Sequence, residues 1–260
     1  MLDLLLARWK QGHQTFKYPA GPPPVLPQRF AGKPTLQAGQ CTPDCNRCLT
    51  GCPTQALKKS EDGLSVTLDL GKCLFCRACE HACPKQCINF SADFQLAASN
   101  RAELCLPHAG EPSPIMAEEA IRKLLGRALK LRQVSAGGCN ACEADTNVLT
   151  TIGWDLSRFG IAFVASPRHA DGLLVTGPVT QAMRSALEDT YAAIPHPKIV
   201  IAVGACAVSG GLFADHQETC GGVSSLLPVD LFIPGCPPHP LTILHGILAF
   251  LGKLAAESDT

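Results

Sequence analysis

The chain lacks net charge. Its 260 residues carry 22 lysines and arginines against 22 aspartates and glutamates, which argues against a nucleic-acid binder working through a broad basic surface. It also lacks a secretion signal. The opening Met1-Leu-Asp-Leu-Leu-Leu-Ala-Arg-Trp-Lys10 has a short apolar stretch, carries Asp3 and has no basic region before it, and no twin-arginine pair occurs. A membrane span is missing too: the longest apolar run, Leu241 to Ala256, is broken by His245 and Lys253 and is too short to cross a bilayer. With 15 cysteines, about 6% of residues, the chain falls below the roughly 8–10% of a small disulfide scaffold, and an odd number cannot pair completely within one chain. A hydrophobic content of 46% excludes disorder. What remains is a cytoplasmic protein with one large domain or two modest ones. Clustered cysteines in that compartment stay reduced and serve metal or redox centres. The first ten residues suit an amphipathic helix facing a membrane or a partner, or an ordinary first helix.

The cysteines divide the chain. Ten lie between residues 41 and 105 and five between 139 and 236. Pro107-His-Ala-Gly-Glu-Pro-Ser-Pro114 between them reads as a linker, followed by a helical spacing of Ile121, Leu124, Leu125, Ala128 and Leu129. This gives a first domain over 1–110, a linker helix over 111–130 and a second domain over 131–260. The charges divide as well: residues 1–110 carry 12 basic and 8 acidic side chains, and residues 111–260 carry 10 and 14. A basic front and an acidic back are hidden under the neutral total.

Cys73-Leu-Phe-Cys76-Arg-Ala-Cys79-Glu-His-Ala-Cys83-Pro84 is a C-x2-C-x2-C-x3-C-P run, the ferredoxin spacing for [4Fe–4S] clusters. Three thiolates of a short loop wrap one cubane, and the fourth is carried by the following helix to the other cluster. A near-copy stands at Cys41-Thr-Pro-Asp-Cys45-Asn-Arg-Cys48-Leu-Thr-Gly-Cys52-Pro53. Its last three cysteines precede their counterparts by 31 residues and its first by 32, so one extra residue widens the loop after Cys41. The repeat predicts crossed ligation: Cys41, Cys45, Cys48 and Cys83 on one cluster, and Cys73, Cys76, Cys79 and Cys52 on the other. If Cys41 does not bind, a three-iron cluster results. Cys87 has Ala56 as its counterpart, which marks a packing position. Zinc, which favours two C-x2-4-C pairs, is the competing reading and fits two interleaved four-cysteine runs poorly.

In the back half, strand-like segments at Leu131–Val134, Ile161–Ala165, Leu173–Thr176, Ile199–Val203 and Val229–Ile233 alternate with helical patterns, including Gln181–Ile194 and a last helix from about Pro238 to Leu254. That order predicts a doubly wound parallel sheet of the flavodoxin-like α/β kind. Cys139 and Cys142 follow the first strand, Cys206 the fourth and Cys236 the fifth, each beside glycine. Ligands of open α/β sheets gather beyond the carboxyl ends of the strands, so these four thiolates can close around a third [4Fe–4S] cluster.

Residues 10–105, with Phe30-Ala-Gly-Lys-Pro34 and Gly71-Lys-Cys-Leu-Phe-Cys76, resemble the two-cluster ferredoxin subunits of formate hydrogenlyase and of respiratory complex I. Residues 130–255 resemble the small subunit of energy-converting (group 4) [NiFe] hydrogenases. The resemblance is carried by Cys139-x2-Cys142, Ser166-Pro-Arg-His-Ala-Asp171, Thr176-Gly-Pro-Val-Thr180, Gly204-Ala-Cys-Ala-Val-Ser-Gly-Gly211 and Pro228-Val-Asp-Leu-Phe-Ile-Pro-Gly-Cys-Pro-Pro238. In the homologous complex I subunit the first two ligand cysteines are adjacent, and the Asn140-Ala141 gap here favours the hydrogenase branch. The chain thus looks like a fusion of two subunits. The resemblance implies an α+β ferredoxin-like domain ahead of the α/β domain, and an electron relay to or from a separate large subunit that holds nickel and iron and interconverts protons and H2. It further implies membrane subunits of the same complex, an electron donor such as a formate dehydrogenase subunit or a soluble ferredoxin, and a peripheral place on the cytoplasmic face of the inner membrane. A complex I-like module without hydrogen chemistry and a zinc-stabilised docking scaffold are the rival readings.

Glu143 and Asp145 follow the third set of cysteines. They serve either a proton path between subunits or, as first-turn carboxylates, the positive end of a helix dipole; similar subunits often carry glutamate where Asp145 stands. Arg168 and His169 match the family motif and suit contacts to the large subunit or the cluster, or ordinary structural contacts. His81, His239 and His245 read as satisfied or exposed histidines, and Cys105 and Cys220 as plain thiols.

Overall fold

The protein is described by a computed structural model covering residues 2–37, 41–42, 44–61, 63–107 and 114–254. The linker expected over 107–114 falls, from 108 to 113, outside these residues. The chain opens with helix α1 (Leu2–Gln11), none of whose side chains is buried.

The front module is built from short antiparallel pieces. Strand β1 (Pro34–Leu36) pairs with β4 (Ile88–Phe90). Strand β3 (Val66–Asp69) sits between β2 (Leu57–Lys59) and β5 (Cys105–Leu106). Two one-turn helices, α2 (Arg47–Thr50) and α3 (Ala78–Ala82), carry Cys48 and Cys79 inward. The sequence repeat is also a backbone repeat. Gln55 and Gln86 both take left-handed φ, 49° and 53°, and their amides donate to the carbonyls of Cys52 and Cys83 at 3.2 Å each. This is the α+β ferredoxin-like domain that the cysteine runs predict.

The back module is a five-stranded parallel sheet: β6 (Leu129–Ser135), β7 (Ile161–Phe163), β8 (Gly172–Thr176), β9 (Ile199–Val203) and β10 (Leu231–Ile233), in the spatial order β10-β9-β8-β6-β7. Numbered within the sheet this is 2-1-3-4-5, the flavodoxin-like order, with its switch point between β6 and β8. Every residue of β8 and β9 is buried, as both faces of a central parallel strand must be. Helices α5 (Ala141–Val148), α6 (Gln181–Ala193), α7 (Ala205–Ser209) and α8 (Pro240–Phe250) complete the module. Helix α8 is apolar almost all round and nearly all buried. It begins at Pro240, and His239 Nδ1 accepts from the Leu241 amide.

Helix α4 (Glu119–Leu125) is shorter than the apolar spacing suggests. Gly126 caps it, its amide donating to the Arg122 carbonyl at 2.8 Å, and a strand begins three residues later. Leu129, expected on the helix, instead opens β6 opposite Ile161.

Several contacts join the modules. Residues 16–30 cross to the α/β module before the ferredoxin pattern begins: Phe16 meets Trp154 edge-on at 5.0 Å, Phe30 meets His239 at 5.5 Å, and Tyr18 Oη lies 2.5 Å from His245 Nδ1. Ala98 and Phe232 exchange backbone hydrogen bonds of 3.0 and 2.8 Å along the β10 edge. Ser209 Oγ donates to the Gly71 carbonyl at 2.8 Å.

Candidate functional site: three groups of thiols

None of the cysteines is in a disulfide. Twelve of the thiols stand in three groups. In the first, Cys48 faces Cys41, Cys83 and Cys45; burial, then the neighbouring sulfurs, push its thiol above the ordinary value. Burial also weighs on Cys83, but hydrogen bonding, led by the Cys87 amide that donates to its sulfur at 3.3 Å, holds it below the ordinary value.

The second group lines one small cavity: Cys52, Cys73, Cys76 and Cys79, walled by Leu57 and Leu68. Burial pushes Cys73 up to about 12 and Cys79 up to about 11. Backbone amides also serve these sulfurs: Ala56 N donates to Cys52 Sγ and Phe75 N to Cys73 Sγ, both at 3.3 Å.

The third group sits at the carboxyl edge of the parallel sheet. Cys139 and Cys142 lie where β6 passes into α5, Cys206 at the start of α7 after β9, and Cys236 after β10. Burial, then Glu143, Cys206, Cys236 and Cys139, raise Cys142. Burial first and the neighbouring sulfurs next raise Cys206, to about 11, and Cys236. The loops are glycine-lined for a steric reason. Gly204 holds φ +91°, and a Cβ there would stand 2.5 Å from Cys142 Sγ. At Gly211 it would stand 2.9 Å from Cys206 Sγ.

These sites fit iron–sulfur clusters by donor chemistry. Burial and the neighbouring sulfurs oppose ionisation of Cys48, Cys73, Cys79, Cys142, Cys206 and Cys236, so a positive core is what would make them thiolates. Amides directed at sulfur are a recognised means of tuning such clusters. Among the described residues no three Cys, His, Asp or Glu side chains are gathered for one metal ion. The second and third groups also approach each other, since Leu74 and Phe75 of the second group's loop line the same cavity as Cys236.

Comparison with known proteins agrees with this geometry. Residues 139–250 match the family of the NADH ubiquinone oxidoreductase 20 kDa subunit, and residues 40–87 match the 4Fe-4S dicluster domain. A probable membrane-bound hydrogenase subunit, mbhJ, of Pyrococcus furiosus is 45% identical over 133 residues, 51% of this chain and 80% of that protein. The chain belongs to the 20 kDa-subunit family, the family of [NiFe] hydrogenase small subunits. Formate hydrogenlyase subunit 7 of Escherichia coli is 43% identical over 152 residues, 56% of this chain and 60% of that one. A subunit of the NADH-quinone oxidoreductase of Citrifermentans bemidjiense is 42% identical over 123 residues, 47% of this chain and 72% of that one. This member of the 20 kDa-subunit family therefore joins an iron–sulfur dicluster domain to the family fold, and it is an oxidoreductase subunit. No helix among its described residues is long and apolar enough to cross a membrane.

The two acids of the family site differ in setting. Glu143 is buried, and its Oε1 accepts from Ser135 Oγ at 2.5 Å and Thr176 Oγ1 at 2.6 Å. Sequence reading missed both hydroxyls; the only signal was a threonine closing an otherwise apolar buried strand. Asp145 lines a cavity of about 230 Å³ together with Arg29, Cys236, His239 and Thr242. Burial raises its carboxyl above the usual range and lowers His239. The Thr242 hydroxyl in the same cavity is buried and lacks a hydrogen-bond partner.

The other side chains singled out from the sequence fall outside the thiol groups. His245 is buried against Tyr18 and Phe94. His81 is exposed. Cys105 is exposed on β5, and Cys220 is half-buried with its amide on the Val179 carbonyl. Arg168 and His169 are exposed in the turn after β7, at the sheet edge that carries Cys139.

Proposed function

We propose that this chain is the electron-transferring subunit of a membrane-associated [NiFe] hydrogenase of the formate hydrogenlyase kind, with three [4Fe–4S] clusters. Cys41, Cys45, Cys48 and Cys83 hold the first, Cys73, Cys76, Cys79 and Cys52 the second, and Cys139, Cys142, Cys206 and Cys236 the third, proximal one. The observation that carries the reading is the cavity that Leu74 and Phe75, from the loop of the second thiol group, share with Cys236 of the third, which supports transfer from one group to the next. Each cluster, when bound, takes and gives one electron. Cys48, Cys73 and Cys79 are buried, while Cys76 of the second group and Cys139 and Cys236 of the third are exposed.

Exposed proximal ligands call for cover. A separate large subunit with nickel and iron, docked on the edge that carries Cys139, Cys236, Arg168 and His169, provides it and interconverts protons and H2. Membrane subunits of the same complex hold the assembly at the cytoplasmic face of the inner membrane. The first cluster faces the electron donor, a formate dehydrogenase subunit or a soluble ferredoxin. Of the two acids, Asp145 suits proton passage, because it faces a polar cavity while Glu143 is engaged by two hydroxyls. The division near residue 110 separates the two-cluster module from the module that carries the proximal cluster and docks the large subunit.

The test is anaerobic purification of the complex, with iron and sulfide analysis and EPR after dithionite reduction. About 12 irons per chain and three cluster signals are expected, at four irons for each cubane; two or three zincs would refute the relay. Asp145→Asn is expected to slow hydrogen turnover, and unchanged turnover would sink its proton role. The likeness to a subunit of NADH-quinone oxidoreductase favours a second reading, a relay without hydrogen chemistry. Absence of H2-dependent dye reduction by a complex with all its clusters would select that reading.

A further inference from the structure

The turn that leads into Cys73 is held by hydroxyls from two other cysteine-bearing segments. Ser209 Oγ donates to the Gly71 carbonyl at 2.8 Å, and Thr54 Oγ1 donates to the next carbonyl, of Lys72, at 2.7 Å. Ser209 closes helix α7, whose first turn carries Cys206 of the third group, and Thr54 stands two residues after Cys52 of the second. The turn is also tied down from within. Asp69 Oδ1 accepts from the Gly71 amide at 2.9 Å, its Oδ2 from Arg101 at 2.7 Å, and its carbonyl from the Cys73 amide at 3.0 Å. Gly71 is buried in the joint, where a Cβ would stand 2.7 Å from both Arg101 Cζ and Val208 Cγ1 of α7. Ser209 has a second acceptor in its own helix, the Ala205 carbonyl at 3.1 Å, yet the shorter bond crosses to the other module.

We propose that Ser209 is a positioning residue for electron transfer: by tying the Gly71 turn to α7 it fixes the separation of the second cluster from the proximal one. This rests on the cluster reading above. Gly71 is two residues from Cys73 and Ser209 three from Cys206, so neither end of the bond moves far without its cysteine following. The Ala98–Phe232 bonds and the Tyr18–His245 contact keep the modules docked without it. The Ser209 bond joins the segment beside Cys73 to the helix of Cys206. Electron tunnelling and the magnetic interaction of two reduced clusters both fall steeply with separation, and a slackened joint weakens both.

The test is EPR of the fully reduced, anaerobically purified complex carrying Ser209→Ala, with iron and sulfide counted first. The expected result is an unchanged iron count and a weakened spin–spin splitting between the second and proximal signals. Amide exchange of Cys73 should be faster by about 2- to 10-fold, the factor set by one lost hydrogen bond. Ser225→Ala removes a hydroxyl bond of the same 2.8 Å, to the Gly222 carbonyl within the α/β module, and should leave the splitting intact. An unchanged splitting in Ser209→Ala, or equal weakening in Ser225→Ala, would overturn the proposal, and so would a wild-type complex whose two signals do not interact. Loss of iron in Ser209→Ala would overturn it too, because the hydroxyl would then be needed to build a site rather than to space two. A wild-type complex without iron and sulfide refutes the cluster reading itself, and the proposal with it.

Discussion

Gly204→Ala puts a single methyl against the proximal site. Gly204 holds φ +91°, and the new Cβ would stand 2.5 Å from Cys142 Sγ. Two costs follow. With ψ 155° the position lies in a region essentially open to glycine alone, where an L-residue is strained by about 1–3 kcal/mol, and overpacking adds about 1–3 kcal/mol. Against a domain stability of roughly 5–15 kcal/mol, the chain still folds. The site fares worse. Ordinary contact needs about 3.5 Å, so the sulfur must retreat by about 1 Å, twice the roughly 0.5 Å within which a ligand set must be held. The expected result is a folded protein that loses about four of 12 irons and the proximal EPR signal while keeping the ferredoxin-module signals. Gly221→Ala separates strain from displacement: it has φ +70° but its Cβ would meet only the Ala214 carbonyl oxygen, at 3.8 Å, and it should keep all three signals. A Gly204→Ala protein with full iron and an unaltered proximal signal would refute the steric argument, and so would equal loss in Gly221→Ala.

Other consequences can be tested directly. Glu143→Leu leaves the fully buried Thr176 hydroxyl without its 2.6 Å acceptor, which should cost about 1–3 kcal/mol in thermal melting; Glu143→Gln, which keeps an acceptor oxygen, should cost less. His245 is held neutral by burial, its pKa lowered below 6.5 despite the opposing charge of Asp93. The unfolded chain then binds a proton that the folded chain refuses, so stability should fall as pH drops below about 6.5, by at most about 1.4 kcal/mol per pH unit. Denaturation midpoints at pH 7 and 5.5 check this, and a His245→Gln variant with the same slope would contradict it. Deleting residues 2–11 removes a helix with no buried side chain and should leave the melting temperature unchanged by calorimetry.

The sequence was most legible where chemistry is local. Cysteine spacing determines which thiols share a loop, and a 31-residue repeat places both ferredoxin groups, because a cubane leaves little freedom to the loop around it. The parallel sheet was legible from its buried apolar runs at Leu173–Thr176 and Ile199–Val203. Periodicity misled at Ala128 and Leu129, where helical spacing continues by coincidence into a strand. What spacing does not carry is contact made through the fold. Ser135 and Thr176 both reach Glu143 because they are register partners across β6 and β8. Leu74 and Phe75 share a cavity with Cys236 only because the modules pack as they do. Residues 16–30 look like a preamble to the ferredoxin pattern, yet Phe16, Tyr18 and Phe30 pack on the α/β module.

Charge shows why the two modules need different surroundings. Residues 1–110 carry 12 basic and 8 acidic side chains, and residues 111–260 carry 10 and 14. An oxidised [4Fe–4S] core with four thiolates bears about −2. On the proposed count, two clusters neutralise the front module and one takes the back module from −4 to about −6. A carrier whose electron changes its net charge by one unit exchanges most readily with varied donors when it starts near neutrality, since no strong field must be matched. The back module has the opposite character: its exposed ligands Cys139 and Cys236 open onto the sheet edge that also carries exposed Arg168. On the proposed count a partner of net positive charge would be steered to the back module as a whole and oriented by it.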